Sequence, residues 1–313
     1  MKRVAGVLVL GAALVLAGVA VFGGSTSPYG RYSILLLGTD TDAARIFLWH
    51  PGSPVEPLGG PQIYSSSGGG GFFSGTRNGV WSPDGRSIAF EQDSPGGLAP
   101  PSPNIILMRS DGTHAEPLAS GDATDDGGGS PSWSPDGRQI VWERAAIVSL
   151  DYATAEKFAI IDVPSGAERT LPADGAQSDP LWGKPGIAYT TKSGIMLLDP
   201  ATGRTRLMVR GFSAADAFAW SPGGVLAVGD PTQIVLLAAS GRVLGKLPIP
   251  AAARPVCDIA WSPDGKQILL STAKDASALV GLWVGTVSTK RWQRLPPVPT
   301  WRNYAYNCGF SWR

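Results

Sequence analysis

Short apolar runs alternate with polar, glycine-bearing turns along almost the whole chain, and the alternation repeats. One unit is an aromatic residue, a tight turn and an apolar run: WSPDGRSIAF from Trp81, WSPDGRQIVW from Trp133, WSPGGVLAVG from Trp220 and WSPDGKQILL from Trp261. In Ser-Pro-Asp-Gly, proline presets φ at the first central position and aspartate suits the second. Glycine then takes the left-handed conformation that returns the chain. Asp84, Asp136 and Asp264 hold the aspartate place, and Gly85, Gly137 and Gly265 the glycine place. The runs SIAF, QIVW and QILL predict short buried strands, with each tryptophan packed on a neighbouring unit. Two copies are degenerate: LWGKPGIAYT around Trp182, and FSWR around Trp312.

A second unit precedes each inter-unit loop: an apolar strand, a polar turn and a terminal apolar residue. It reads RIFLWHPGSPVEPL, IILMRSDGTHAEPL, FAIIDVPSGAERTL, IMLLDPATGRTRLM, IVLLAASGRVLGKL and LWVGTVSTKRWQRL. The motif tryptophans 81, 133, 182, 220, 261 and 312 are spaced by 52, 49, 38, 41 and 51 residues, the length of a four-stranded propeller blade. Six inner and six outer units predict an all-β, six-bladed propeller. The first outer unit lies before any tryptophan motif, and Trp312 lies after every outer unit. NCGFSW therefore supplies the inner strand of a blade completed by YSILLLG and RIFLWHP, and the ring closes by joining its two ends, which removes exposed sheet edges along it.

WSPDGR.I.F followed by I..M..DGT...PL resembles the WD40-like repeat of TolB-type β-propellers, over residues 32–312. Similar repeats occur in the propeller domains of prolyl-oligopeptidase-type enzymes. The resemblance implies the fold, and its motif residues are structural. TolB carries a separate domain before its propeller and the oligopeptidases carry a hydrolase domain; neither has a counterpart in this sequence.

The N-terminal pattern differs. Lys2 and Arg3 precede 19 uncharged residues, 4–22, a helix of about 28 Å, close to a bilayer core. The basic residues before it place the rest of the chain outside the cytoplasm. The length of the run favours an uncleaved anchor over a cleaved signal peptide, which would have a shorter apolar core and a small-x-small site. Residues 1–24 are thus expected to be a signal anchor or signal peptide, 25–31 a linker and 32–313 the propeller. The propeller is extracytoplasmic on either reading, and secreted if the helix is cleaved.

Composition narrows the partners. In 313 residues, 26 basic and 25 acidic side chains leave a formal charge of +1, without the basic excess of a nucleic-acid binder. The two cysteines, Cys257 and Cys308, each fall four residues before a motif tryptophan. Matching positions on adjacent inner strands of an exported chain point to a structural disulfide; two buried thiols are the alternative.

Candidate chemistry is sparse. His50 and His114 fall in outer turns, as exposed rim residues. There is no Gly-x-Ser-x-Gly elbow, no His-Glu-x-x-His, no Cys-x-x-Cys and no phosphate loop in the sequence, which argues against a serine hydrolase, a zinc site and a nucleotide site. Asp122, Asp125 and Asp126 lie in a glycine-rich stretch that reads as a solvated loop, with calcium as the alternative; no other cofactor is expected. Asn78, Asp179 and Asp258 stand three residues before a motif tryptophan, near the channel mouth, where they either bond backbone at strand starts or converge on a polar ligand. Residues 59–79 carry Tyr64, Phe72 and Phe73 among glycine and serine, as recognition loops do. The aromatic segment 296–307 is expected nearby. The expected function is a monomeric, non-enzymatic binding or scaffold module of the cell envelope, with a protein or glycan partner. A propeller enzyme, a lyase or glycan-active hydrolase using channel carboxylates, is the alternative.

Overall fold

The computed structural model describes residues 32–39, 43–58, 63–64, 79–93, 103–120, 131–147, 154–173, 175–176, 180–212, 217–273, 279–300 and 305–313. The expected N-terminal helix and linker lie outside them. No helix among the described residues is long and apolar enough to cross a membrane.

Strands β1 (Ile34–Thr39), β2 (Ala43–Trp49) and β3 (Val55–Pro57) come first, with the short β4 (Ile63–Tyr64) also paired to β2. Blade I is β5 (Val80–Trp81), β6 (Ser87–Asp93), β7 (Pro103–Arg109) and β8 (Glu116–Ser120). Blade II is β9 (Ser132–Trp133), β10 (Gln139–Ile147), β11 (Thr154–Asp162) and β12 (Glu168–Pro172). Blade III holds β13 (Leu181–Gly183), β14 (Gly186–Thr191), β15 (Gly194–Leu198) and β16 (Thr205–Val209). Blade IV holds β17 (Phe218–Trp220), β18 (Leu226–Asp230), β19 (Gln233–Leu237) and β20 (Val243–Pro248). Blade V holds β21 (Val256–Trp261), β22 (Gln267–Ala273), β23 (Leu279–Thr286) and β24 (Arg291–Arg294). Finally β25 (Ala305–Trp312) pairs antiparallel with β1, so the sixth sheet runs β25-β1-β2-β3. Six blades closed by the chain's two ends is the architecture the repeats predict.

Burial explains the pattern. Second strands such as β14, with five consecutive buried residues, are covered on both faces by neighbouring blades and so read as continuous apolar runs. Outer strands such as β12, with one buried position in five, have one solvated side. The core is accordingly divided into layers between blades. Val141, Phe158 and Ile160 of blade II meet Ile187, Tyr189 and Leu198 of blade III, and Leu269, Leu282 and Val284 of blade V meet Leu36, Phe47 and Trp312 of the closing blade.

Antiparallel order also sorts the connections. First-to-second and third-to-fourth turns share one face of the ring, the turn face. Second-to-third loops and blade-to-blade loops share the other, the loop face.

Candidate functional site

Each Ser-Pro-Asp-Gly turn closes a small polar network. Ser82 is buried; its Oγ donates to Asp84 Oδ1 at 2.6 Å and accepts from the Ser87 N–H at 3.0 Å. Asp84 Oδ1 also accepts from the Arg86 N–H at 3.0 Å. Gly85 donates to the Ser82 carbonyl with φ of 66°, a conformation costly for residues with a Cβ. The same bonds recur at Ser134–Asp136 and Ser262–Asp264, each 2.6–2.7 Å between side chains. The serine hydroxyls first, and the following backbone N–H groups second, hold the Asp84 and Asp136 carboxyls below the usual carboxylate range. The role of serine went unread in the sequence, although its recurrence after Trp81, Trp133, Trp220 and Trp261 was a visible signal.

The motif tryptophans join blades. Indole N–H groups of Trp133, Trp220 and Trp261 donate to the carbonyls of Val80, Leu181 and Ala219, at 3.1–3.2 Å. Each acceptor immediately precedes the motif tryptophan of the preceding blade. At the next junction Asp258 on β21 is half-buried, and its two oxygens accept the Ile259 N–H at 2.8 Å and the Phe310 N–H of β25 at 3.1 Å. These two bonds to backbone tie blade V to the closing blade. Cys257, one residue earlier, is half-buried and disulfide-bonded; the chain's other cysteine, Cys308, lies on β25.

Other sequence expectations fall elsewhere. Asn78, Asp179, Phe72, Phe73 and the acidic stretch 121–130 lie outside the described residues. Tyr64 is placed only as the end of β4, opposite Ala43. His114 is exposed, whereas His50 differs from the expected rim residue: it is half-buried, its Nδ1 2.9 Å from the Tyr32 carbonyl, because the first strand of the chain runs beside its turn. No group of three or more His, Cys, Asp or Glu side chains suited to a metal occurs among the described residues.

What the sequence did not single out is a cleft of about 650 Å³ on the turn face, between blades II and III. Pro135 walls it on one side and the Asp199–Arg206 outer turn on the other, with Trp182, Lys184 and Pro185 between them. It sits at the degenerate motif copy. Gly183 pairs directly with Gly186, leaving only Lys184 and Pro185 as the turn, and a side chain at Gly183 would collide with the Trp220 ring. Asp199 accepts the Ala201 and Thr202 N–H groups at 2.8 and 3.3 Å, and these bonds lower its pKa. Its carboxylate is engaged in its own turn.

Solved structures similar to this fold include TolB from Acinetobacter baumannii, at 16% identity and a TM-score of 0.61, over 90% of this chain and 66% of that one. Puromycin hydrolase is similar at 20% identity and a TM-score of 0.53, over 82% of this chain but 43% of that chain. Oligogalacturonate lyase in complex with manganese is similar at 14% identity and a TM-score of 0.52, over 80% and 70%. The chain thus spans about two thirds of the TolB structure and less than half of the hydrolase. No protein-family model and no curated protein sequence matches it. The fold is a TolB-like six-bladed propeller, a fold that the solved structures place in enzymes as well.

Proposed function

We propose that the chain is an exported, membrane-tethered propeller that works as a non-enzymatic binding module in the cell envelope, with a protein or glycan partner. One observation carries this reading. The motif carboxylates, and Asp258 on β21, are bonded to serine hydroxyls and backbone N–H groups and so help to hold the ring's shape. Tethering rests on the uncharged segment 4–22 behind Lys2 and Arg3. Export also suits a Cys257–Cys308 bridge between neighbouring inner strands.

The test is in-cell crosslinking of the tagged full-length chain, with purification from membranes and mass spectrometry. The expected result is a stoichiometric partner that is lost when Tyr64, Phe72 and Phe73 become alanine. Recovery of the chain only from the cytosol would overturn export. A second reading is an enzyme using channel carboxylates, favoured by the likeness to oligogalacturonate lyase. It requires turnover of an envelope glycan or an oligogalacturonate that Asp179→Asn and Asp258→Asn abolish while circular dichroism stays unchanged.

A further inference from the structure

On the turn face a proline closes against a turn glycine at three junctions, Arg313 takes that place at a fourth, and the junction of blades II and III is open. A Cβ on Gly137 would lie 3.6 Å from Pro83 Cδ, one on Gly224 3.2 Å from Pro185 Cγ, and one on Gly265 3.8 Å from Pro222 Cδ. Each of these prolines closes against the turn glycine of the next blade. Between blades II and III the contact is replaced. Gly186 faces Leu197 and the Leu198 carbonyl of its own blade, while Pro135 walls the cleft. The cause is a shortened turn: residues 82–87 separate the paired Trp81 and Ile88 of blade I, but only residues 183–186 separate the paired Trp182 and Ile187 of blade III. A turn this short still sets Pro185 against Gly224 of blade IV, but neither of its glycines has Pro135 of blade II among its nearest neighbours.

The gap is lined by more positive than negative charge, three cations against one carboxylate. Lys184, Arg204 and Arg206 surround it, and neither Lys184 nor Arg204 is ion-paired among the described residues. Arg206 donates to the Ala239 carbonyl at 2.6 Å, and Arg169 donates to the Pro200 carbonyl at 2.8 Å. The Arg169 bond carries its guanidinium from blade II to the outer turn that lines the cleft, whereas Arg206, although it lines the cleft, turns its guanidinium towards blade IV. The sole lining carboxylate, Asp199, accepts two backbone N–H groups and stays ionised, with Arg204 as a coulombic neighbour that offsets it. The remaining walls are apolar: Trp182, three prolines and Leu197. About 300–1,000 Å³ is the usual size of a ligand pocket, and the cleft falls within that range.

We propose that this cleft binds an acidic peptide segment of a protein partner, its carboxylates on Lys184 and Arg204 and its apolar side chains against Trp182 and the prolines. Guanidinium groups match carboxylates in a planar, two-point geometry, and an aromatic–proline wall receives apolar side chains. For a neutral sugar the lining offers one hydroxyl, Thr205, and no Asn, Gln or Tyr; an acidic sugar shares the carboxylate chemistry of the peptide, and the oligogalacturonate arm of the test separates the two. A lipid surface would need a flat or protruding patch rather than a recess. The inference rests on the binding-module reading and gives it a second contact face, opposite the loops.

The experiment is fluorescence anisotropy of the folded chain with a labelled peptide of alternating glutamate and phenylalanine. An uncharged glutamine–phenylalanine peptide and a labelled oligogalacturonate serve as comparators. Binding of the acidic peptide is expected to exceed both and to weaken about tenfold or more in the Lys184→Glu/Arg204→Glu protein. Raising the ionic strength weakens it further. Arg242→Glu/Arg291→Glu reverses two other exposed turn-face cations, and is expected to leave the affinity within about twofold. Equal losses in both variants, no measurable binding, or tighter binding of the oligogalacturonate would each overturn the proposal. Its failure is separable from that of the functional reading. If crosslinking captures a partner that Lys184→Glu/Arg204→Glu still binds, only the cleft assignment falls; if peptide binds the cleft but no partner is captured, only the module reading falls.

Discussion

The junctions inside the ring and the junctions that close it solve the same packing problem with different bonds. Where Trp133, Trp220 and Trp261 meet the blade before them, the indole N–H reaches a backbone carbonyl. On either side of the closing blade, the buried Trp312 and Trp81 indole nitrogens find no acceptor among the described residues. Other contacts replace them. Asp258 accepts the Phe310 N–H, the Tyr32 hydroxyl donates to Gln267 Oε1 at 3.1 Å, and Ser311 Oγ accepts the Trp81 N–H at 3.3 Å. Tyr32 packs edge-on to Trp312 at 5.2 Å, and Phe47 edge-on to Tyr306 at 5.5 Å. Arg313 lies over Trp81 at 5.9 Å and donates to the Gly85 and Asp84 carbonyls, in the place against Gly85 that a proline fills at other junctions. A blade built from two distant segments lacks the covalent turn that fixes first strand to second. The bonds of Asp258, Tyr32 and Arg313 take over the registration, while the Ser311–Trp81 bond has a counterpart inside the ring, where Ser132 Oγ accepts the Trp182 N–H at 2.8 Å.

Four measurements would break or sharpen this contrast. The largest effect belongs to the cysteines. Reduction, or Cys257→Ala, is expected to cost on the order of 4 kcal/mol, the chain-entropy value for a loop of about fifty residues. Chemical denaturation with and without reductant measures it, and an unchanged midpoint would remove the bridge from the closure. Next comes Asp258→Ala, which strips the Phe310 and Ile259 N–H groups of a charged acceptor and should cost about 2–3 kcal/mol. Asp258→Asn should recover part of that.

A matched pair of substitutions ranks third. Trp261→Phe removes the indole bond to the Ala219 carbonyl, which the ladder with β18 still pairs, and should destabilise by about 0.5–1.5 kcal/mol more than Trp312→Phe, which removes an N–H with no partner among the described residues. Equal losses would mean that ring volume, not the indole bond, joins the blades. The smallest effect is the acid response of the turns. Asp84, Asp111, Asp136, Asp162, Asp199 and Asp230 are all held below the ordinary aspartate value of 3.8 by hydroxyl and N–H donors. A lowered folded pKa means a contribution fully present above pH 3.8 and lost as pH falls through the lower folded values. Carboxyl carbon shifts from NMR should therefore titrate late for Asp84 and return toward 3.8 in Ser82→Ala. An unmoved Asp84 would sink the assignment of serine as its main partner.

Much of this was legible in residues that recur. The spacing of Trp81, Trp133, Trp182, Trp220, Trp261 and Trp312, with the six outer hairpins, specifies blade number, strand order and closure. The physical basis is simple: a four-stranded blade buries both faces of its middle strands only against two neighbours. The proline–aspartate–glycine turns were readable for the same reason, since their φ preferences are local. The candidate cleft was not legible. LWGKPGIAYT appears in the sequence as a degenerate copy, and that a shortened turn opens a recess depends on where Pro135 of the preceding blade stands.

The sequence by itself therefore determined the repeat, the number of blades, the turn chemistry and the pairing of the chain's two ends, because all of these arise from local periodicity and backbone preference. Only the tertiary structure decided which polar groups face one another across blades. It set Asp258 on the Phe310 N–H, Arg313 on the next blade's turn, and Lys184, Arg204 and Arg206 around one opening. Such contacts join residues far apart in the chain, and their geometry is fixed by the packing of whole sheets rather than by any local preference.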